Sequence, residues 1–234
     1  MITITRQTIL KAGAVVLAAG LLTGCQGTHR ARSVDTSGFL QNYPQLKEGK
    51  EGQTLLVYIN PRTNFARYNA IQMDPIKIYA AQGSAFMDAS PETRQSLVNY
   101  LDASIRDELK GSFTFVNQPG PGVMRFRIAI TDAQGSMVLL DTVSSVVPIG
   151  LAVSILKSGL TGAGTGVGSC SIEFEALDSV TGERLAAAVS KRVGDKFTGK
   201  FDKFDQWNAV KNSFDYWSAL LKTRLMELQA GIRP

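Results

Sequence analysis

The chain contains little histidine and little cysteine: one His and two Cys among its 234 residues. The histidine, His29, lies in a polar stretch near the N-terminus, outside the apolar patterns that predict the folded domain. A Ser/His/Asp triad, a Cys/His nucleophile pair and a His-ligated zinc site each require a histidine inside the fold. The sequence therefore argues against these classes of enzyme and metal site. We expect neither a cofactor nor a bound metal.

Runs of positive charge are also absent. The 25 Lys and Arg exceed the 20 Asp and Glu by only five. The basic residues are not interleaved with aromatic side chains, as they often are in nucleic-acid-binding segments. We therefore expect no nucleic-acid partner. An excess of this size allows contact with anionic lipid or glycan but does not require it.

Long apolar runs are few, and the first of them lies near the start of the sequence. Arg6 and Lys11 precede an apolar run over residues 12–22, and the tetrapeptide Leu-Thr-Gly-Cys occupies residues 22–25. About eleven apolar residues are too few to span a bilayer, which needs roughly twenty, so the run predicts a signal peptide. The tetrapeptide resembles the lipobox of bacterial lipoprotein precursors, in which the cysteine is acylated and becomes the new N-terminus.

The lipobox divides the chain into three predicted parts. Residues 1–24 would be the lipoprotein signal peptide, residues 25–52 a lipidated tether rich in small and charged residues, and residues 53–234 a periplasmic domain. Cleavage would leave 210 residues and lower the net charge from +5 to +3, because the signal peptide carries two basic residues and no acid. A chain of that length suits one domain with a sizeable core.

Lipidation of Cys25 would determine both the location and the thiol chemistry of the protein. Gln26 follows the cysteine at the position where inner-membrane retention signals usually carry Asp, so we expect the lipid anchor to lie in the outer membrane, at its periplasmic face. Cys170 would then be the one free thiol of the mature sequence, which excludes an internal disulfide even in an oxidising compartment.

One apolar island interrupts the predicted tether. Four large apolar side chains recur there at spacings of three and four residues: Phe39, Leu40, Tyr43 and Leu46. The pattern predicts a short helical turn pinned onto the domain, since leaving four such groups in water is costly. The alternative is a linker that is only transiently in contact with the domain.

Apolar periodicity in the remaining chain predicts several strands and two long helices. Strands are predicted over residues 54–60, 76–81, 113–116, 123–130, 169–177 and 185–193, the last two pairs as hairpins. The first of these is apolar almost throughout, so we expect it to be central in the sheet. Amphipathic helices are predicted from Pro91 and from Phe204. The fold class is α+β: a single domain with a mostly antiparallel sheet of about five strands and two main helices packed on it.

A second apolar run, residues 146–156, has no obvious place in that fold. Its apolar members include Val146, Val147, Ile149, Leu151, Val153, Ile155 and Leu156. The run is too short to cross a bilayer as a helix and too apolar for a free loop. We interpret it as a possible interaction segment, with packing on the domain's own sheet, self-association and insertion into a membrane leaflet as alternatives. The glycine-rich residues 162–168 after it do not continue into Gly-Lys-Ser/Thr, so they predict a hinge and not a phosphate loop.

Several of these features together resemble a known family. They are the lipobox, the apolar island of residues 37–46, the sequence Asp-Ser-Val-Thr-Gly-Glu at residues 178–183, and the closing aromatic helix. This combination is similar to a family of uncharacterised proteobacterial lipoproteins that is classified only as a domain of unknown function. The resemblance covers nearly the whole mature chain, and it implies a location and a fold but no chemistry.

Two functions fit the sequence. The first is a non-catalytic cell-envelope lipoprotein, not an enzyme, that acts as a scaffold or accessory subunit. Its partners would be the membrane, through the lipid anchor, and an unidentified envelope protein or a second copy of itself. The alternative is a periplasmic glycan-processing hydrolase. Glu173 and Glu175 would project from one strand face with Cα atoms ~7 Å apart, a spacing at which two carboxylates could share acid and base roles. We favour a solvated strand face for this pair, partnered by Arg125 and Arg127 on a neighbouring strand.

Overall fold

A hairpin of two long strands lies in the middle of a large sheet. The computed structural model describes residues 28–81, 84–135, 168–194 and 207–233. Within them the strands are β1 (Thr28–Arg30), β2 (Lys47–Glu48), β3 (Leu56–Ile59), β4 (Ala70–Met73), β5 (Lys77–Ile78), β6 (Thr114–Val116), β7 (Val123–Gln134), β8 (Ser169–Asp178) and β9 (Arg184–Gly194). The helices are α1 (Ala85–Asp88), α2 (Pro91–Leu109) and α3 (Asn208–Gln229).

All strands of the described residues belong to one nine-stranded mixed sheet. The main order is β2-β3-β9-β8-β7-β4-β6, while β1 pairs with β9 and β5 pairs with β7. β7, β8 and β9 are antiparallel neighbours, whereas β4 runs parallel to both β6 and β7, and β5 runs parallel to β7. Together with the helices, the sheet forms a single α+β domain.

The predicted sheet of about five mostly antiparallel strands is therefore wrong in both size and type. Three of the strands (β1, β2 and β4) lie where no strand was predicted, and they contain only two to four residues each. Such short segments are held by pairing with longer neighbours, and they show too little alternation of apolar and polar residues to be recognised in a sequence. A parallel pair also needs a distant connection, which local patterns do not reveal.

Two further details of the predicted sheet are wrong. The expected hairpin between residues 113–116 and 123–130 does not form, because β4 lies between β6 and β7 and pairs with both. β3 is second from the edge, between β2 and β9, and its four residues are only half-buried. Its apolar run therefore reflects partial cover on both faces and not a central position.

The predicted hairpin of β8 and β9 is confirmed. Ser169 lies opposite Val193 at one end of the pair, and Leu177 lies opposite Arg184 at the other. Gly182 in the connecting turn has a φ of +71°, a conformation that glycine adopts without steric cost. β7 pairs along the other side of β8, so β8 lies between two long partners.

Two long helices cover one face of the sheet, as predicted. Ser90 caps α2 by accepting a hydrogen bond from the Thr93 N–H at 3.2 Å, and the helix buries its apolar stripe against the sheet. The buried side chains of α3 are Val210, Ser213, Phe214, Trp217, Ser218, Leu225 and Leu228. The two helices run side by side and parallel, because the contacts advance along both in the same direction: Tyr100 bonds to Asp215, Ser104 to Ser218 and Glu108 to Lys222. α1 is a single short turn that buries Phe86.

The N-terminal segment covers the opposite face. Residues 31–46, here called the strap, cross the sheet after β1. Phe39, Leu40 and Leu46 of the strap are buried against Ala129 of β7 and neighbouring residues of β9, and a 3₁₀ turn spans Tyr43–Gln45. The prediction that the apolar island is pinned onto the domain is confirmed. Residues 28–52, which we assigned to a tether, instead contribute β1, β2 and the strap to the fold.

The sheet has two distinct ends. At one end, here called the Thr28 end, Thr28 lies opposite Gly194, Ser169 lies opposite Val193, and Gln134 lies opposite Ser169. The N-terminus of α3 is also there, since a Cβ atom placed on Gly194 would lie 3.2 Å from that of Ala209. The other end, the Asp178 end, holds the turn between β8 and β9.

Some predicted features lie outside the described residues. They are the signal peptide, Cys25, residues 146–156 with the proposed interaction segment, nearly all of the glycine-rich hinge, and Phe204. In the part of the chain that the structure describes, no helix is long and apolar enough to cross a membrane.

Candidate functional site

Glu173 of β8 is the most completely enclosed carboxylate of the described residues, with no side-chain or backbone surface exposed. The strap supplies its hydrogen-bond donors. The Ser37 N–H donates to Oε1 at 2.7 Å, the Leu40 N–H donates to Oε2 at 3.2 Å, and the Tyr43 hydroxyl donates to Oε2 at 2.6 Å. Removing a carboxylate from water is costly unless such donors replace the water. We call this arrangement the Glu173 clasp.

The clasp also changes the pKa of one of its donors, Tyr43. Burial and the Glu173 carboxylate both raise the pKa of Tyr43 above its usual value. Tyr43 is therefore protonated at neutral pH and donates its hydroxyl proton to Glu173. Its hydroxyl oxygen in turn accepts hydrogen bonds from the Gly38 N–H at 2.8 Å and the Leu40 N–H at 3.1 Å. These bonds tie the turn of the strap to one carboxylate of the sheet.

Glu175 lies two residues farther along the same face and is equally committed. Arg127 of β7 forms an ion pair with Oε1, and Arg184 of β9 contacts Oε2 through Nη2 at 2.8 Å and Nε at 3.0 Å. The Glu175 residue is 2% exposed. The Arg127 guanidinium also lies 5.1 Å from the centre of the Phe39 ring. The strap thus packs over this ion-pair cluster as well.

The expectation of a solvated Glu173 and Glu175 face is wrong, because the strap covers it. The expected partner Arg127 does bind Glu175, whereas Arg125 pairs with Asp74 at 2.7 Å. Both glutamates have the donors that a buried anion needs, and they serve to hold the strap and two neighbouring strands together. Periodicity in the sequence identifies the face but not the segment that covers it.

A third buried carboxylate, Asp178, lies at the C-terminal end of β8. Its Oδ1 accepts hydrogen bonds from the Val180 N–H at 3.0 Å and the Thr181 N–H at 2.9 Å, which shapes the turn to β9. Its Oδ2 accepts hydrogen bonds from the Tyr68 hydroxyl at 2.8 Å and from Arg67 at 2.7 Å. Asp178 therefore joins the turn to the segment before β4.

The electrostatics of Asp178 follow from these bonds. Burial alone would raise the pKa of Asp178, but the hydrogen bonds from the Thr181 backbone, the Tyr68 hydroxyl and the Val180 backbone outweigh it and lower the pKa to about 2. The same carboxylate and burial raise the pKa of Tyr68. Asp178 is therefore a stable anion at neutral pH, with no tendency to act as a general acid.

A recess beside Asp178 opens to solvent at this end. Its volume is about 470 Å³, and it is lined by Arg67, Asn69, Pro121, Gly122, Asp178, Val180 and Thr181. The Arg67 side chain is 57% exposed despite its ion pair, and Val180 is 64% exposed. The recess is shallow and presents one guanidinium next to an apolar side chain.

The apolar cavity lies between the sheet and α3. It has a volume of about 120 Å³, and among its lining residues are Trp217, Leu221, Ile172, Phe174 and Ala186. The lining surface is almost entirely apolar, although Tyr58, Ser218 and Arg224 are among the lining residues. The cavity results from incomplete packing between helix and sheet.

Cys170 is buried and belongs to the main hydrophobic core. Its thiol lies 3.2 Å from the Asp132 carbonyl oxygen, and burial raises its pKa well above the usual value. A thiol that is not ionised is a poor nucleophile and a poor metal ligand. Among the described residues, no group of three or more His, Cys, Asp or Glu side chains is placed to hold a metal ion.

Residues 35–221 match the family described as "Protein of unknown function (DUF3313)". The chain belongs to this family. The matched region begins inside the strap and includes Glu173, Glu175 and Asp178, so both carboxylate clusters lie within the DUF3313 part of the chain. The resemblance to a domain of unknown function is confirmed at this level.

Two solved structures are similar to this DUF3313 chain. One is a PelC dodecamer from Paraburkholderia phytofirmans, at 11% identity and a TM-score of 0.39, covering 71% of this chain and 94% of that chain. The other is a DUF4136 family protein from Bacteroides thetaiotaomicron, at 8% identity and a TM-score of 0.35, covering 73% and 95%. None of the curated proteins matches the chain.

Proposed function

We propose that this DUF3313 protein is a lipid-anchored cell-envelope protein of the outer membrane, facing the periplasm, that acts as a non-catalytic scaffold or accessory subunit of an envelope complex. The observation that carries the anchor is the tetrapeptide at residues 22–25, which follows a basic and then an apolar stretch. Its four positions satisfy the lipobox pattern, and the cysteine is the residue to be acylated.

The non-catalytic part of the proposal is supported by how the carboxylates are used. Glu173 accepts three hydrogen bonds, Glu175 binds two guanidinium groups, and Asp178 accepts four hydrogen bonds. A catalytic pair in a glycan hydrolase must reach a substrate and a water molecule. Glu173 and Glu175 are instead covered by the strap, which would have to leave before either could contact a glycan.

The anchor is tested by substituting Cys25 with Ala in cells grown with labelled palmitate. Acyl chains contribute about 0.8 kcal/mol per buried methylene to membrane binding. We therefore expect Cys25→Ala to lose the label and to leave the outer-membrane fraction. The matched control is Cys170→Ala, which removes the other cysteine. This variant should keep both the palmitate label and its place in the outer-membrane fraction. Retention of Cys25→Ala in the membrane with full labelling would contradict the proposal.

The scaffold role is tested by mild crosslinking of the lipidated protein in membranes, followed by purification. We expect a reproducible envelope protein or a second copy of this chain to be recovered with the wild type and lost with Cys25→Ala. A hydrolase is tested separately, by incubating the purified wild type with peptidoglycan. Release of soluble glycan fragments that is lost in Glu173→Gln would favour the hydrolase and contradict the non-catalytic role.

A further inference from the structure

The position of the folded domain relative to the bilayer depends on where β1 is fixed and on the lipid anchor proposed above. β1 fixes the beginning of the described chain to the Thr28 end of the sheet. Thr28 and Arg30 lie opposite Gly194 and Arg192 of β9, and the Ala31 N–H donates to the Lys191 carbonyl at 3.0 Å. The described chain is therefore held to the sheet from Thr28.

Buried hydrogen bonds hold Thr28 itself in place. Thr28 is 2% exposed. The Arg192 Nε donates to its hydroxyl oxygen at 2.8 Å, and the Arg192 Nη2 donates to its carbonyl oxygen. The Arg192 guanidinium lies 3.5 Å from the centre of the Tyr216 ring of α3. Releasing Thr28 would leave a buried guanidinium without these acceptors, which is costly.

The chain between the proposed anchor and this fixed point is very short. Cys25 precedes Thr28 by three residues, and three residues span at most about 11 Å even when fully extended. The headgroup layer on one side of a bilayer is about 5–8 Å thick. A cysteine whose acyl chains are in the bilayer therefore keeps Thr28 close to the headgroups, and no long tether separates the two.

We propose that the Thr28 end of the sheet is a membrane-contact surface, which packs against the lipid headgroups of the bilayer that holds the anchor. The strands then point away from the bilayer. β8 contains 10 residues, so the Asp178 end lies ~30 Å farther out. The Asp178 turn and the recess with Arg67 are thereby the part of the domain most accessible to a periplasmic partner.

The experiment uses the full lipidated protein in liposomes of phosphatidylethanolamine and phosphatidylglycerol that contain a nitroxide on the headgroup. A fluorophore is attached to His29→Cys in β1, to Arg32→Cys just after it, or to the distal control Val180→Cys; all three positions are exposed. Each variant carries Cys170→Ala. We expect loss of most of the fluorescence at the two N-terminal positions and no loss at Val180→Cys.

A linker variant separates the outcomes. Twelve Gly and Ser residues inserted between Gly27 and Thr28 have an end-to-end distance of about 20 Å, so the insertion should restore the fluorescence at His29→Cys without affecting acylation. Mass spectrometry first confirms that the protein is acylated. Equal quenching at both ends of the sheet, or none at either end, would then overturn the membrane-contact surface but not the proposed anchor. Absence of the acyl chains would instead refute the proposed function, and the inference with it.

Discussion

The Tyr43 hydroxyl donates a 2.6 Å hydrogen bond to the Glu173 carboxylate across 130 residues of sequence. This contact joins the N-terminal strap to the central strand β8. It explains why a segment with the composition of a linker is folded onto the sheet. The strap contributes apolar side chains to the second face, and the buried carboxylate determines where the strap turns.

Removing this hydroxyl should destabilise the protein. Tyr43→Phe leaves the buried Glu173 carboxylate with one donor fewer, and hydrogen bonds to charged groups contribute about 1.5–3 kcal/mol. We expect the free energy of unfolding, measured by urea denaturation, to fall by about 2 kcal/mol. Tyr79→Phe is the matched control, because Tyr79 is 46% exposed. Its contact with Phe39 is between the two rings, which the substitution keeps. Equal effects of the two substitutions would contradict the clasp.

Asp178 should make stability depend on pH in the acidic range. Its pKa is about 2 in the folded protein and 3.8 in the reference state, so the folded state binds this proton less tightly than the unfolded state does. The carboxylate therefore stabilises the fold fully above pH 4, and this contribution of about 2 kcal/mol is lost as the pH falls from 4 to 2.

The measurement is the free energy of unfolding of the wild type and of Asp178→Asn as a function of pH. The variant should be less stable at pH 7, and the difference should shrink towards pH 2. Asp35→Asn, at an exposed strap position, should follow the wild type throughout. A difference for Asp178→Asn that stays constant from pH 7 to pH 2 would show that ionisation of Asp178 does not contribute.

Trp217 should be a core residue and not an interface residue. It is 5% exposed, and its indole N–H donates to the Ser190 hydroxyl at 3.0 Å. Trp217→Ala should lower the free energy of unfolding by about 3–5 kcal/mol. Met226→Ala on the same helix, where the side chain is 47% exposed, should change it by less than about 0.5 kcal/mol. An unchanged melting temperature for Trp217→Ala would mean that the aromatic stripe does not pack on the sheet.

Local patterns in the sequence were sufficient for the parts of the fold that depend on neighbouring residues. The cap at Ser90, the apolar stripes of α2 and α3, the hairpin of β8 and β9 and the pinned island all follow from periodicity of 3.6 or 2 and from turn residues. The proposed lipobox is also a local pattern, since it consists of four consecutive residues, and it stays a prediction. The thiol count likewise needs no coordinates.

The tertiary structure decided everything that depends on which distant segments meet. Strands of two or three residues such as β1 and β2 exist because longer strands offer them unpaired backbone groups. β4 separates β6 from β7 for a similar reason, since parallel pairing is independent of order along the chain. The environment of Glu173 differs most from what the sequence predicts. Alternation places Glu173 on a polar face, but only the folded strap removes that face from water and makes the carboxylate a structural anion.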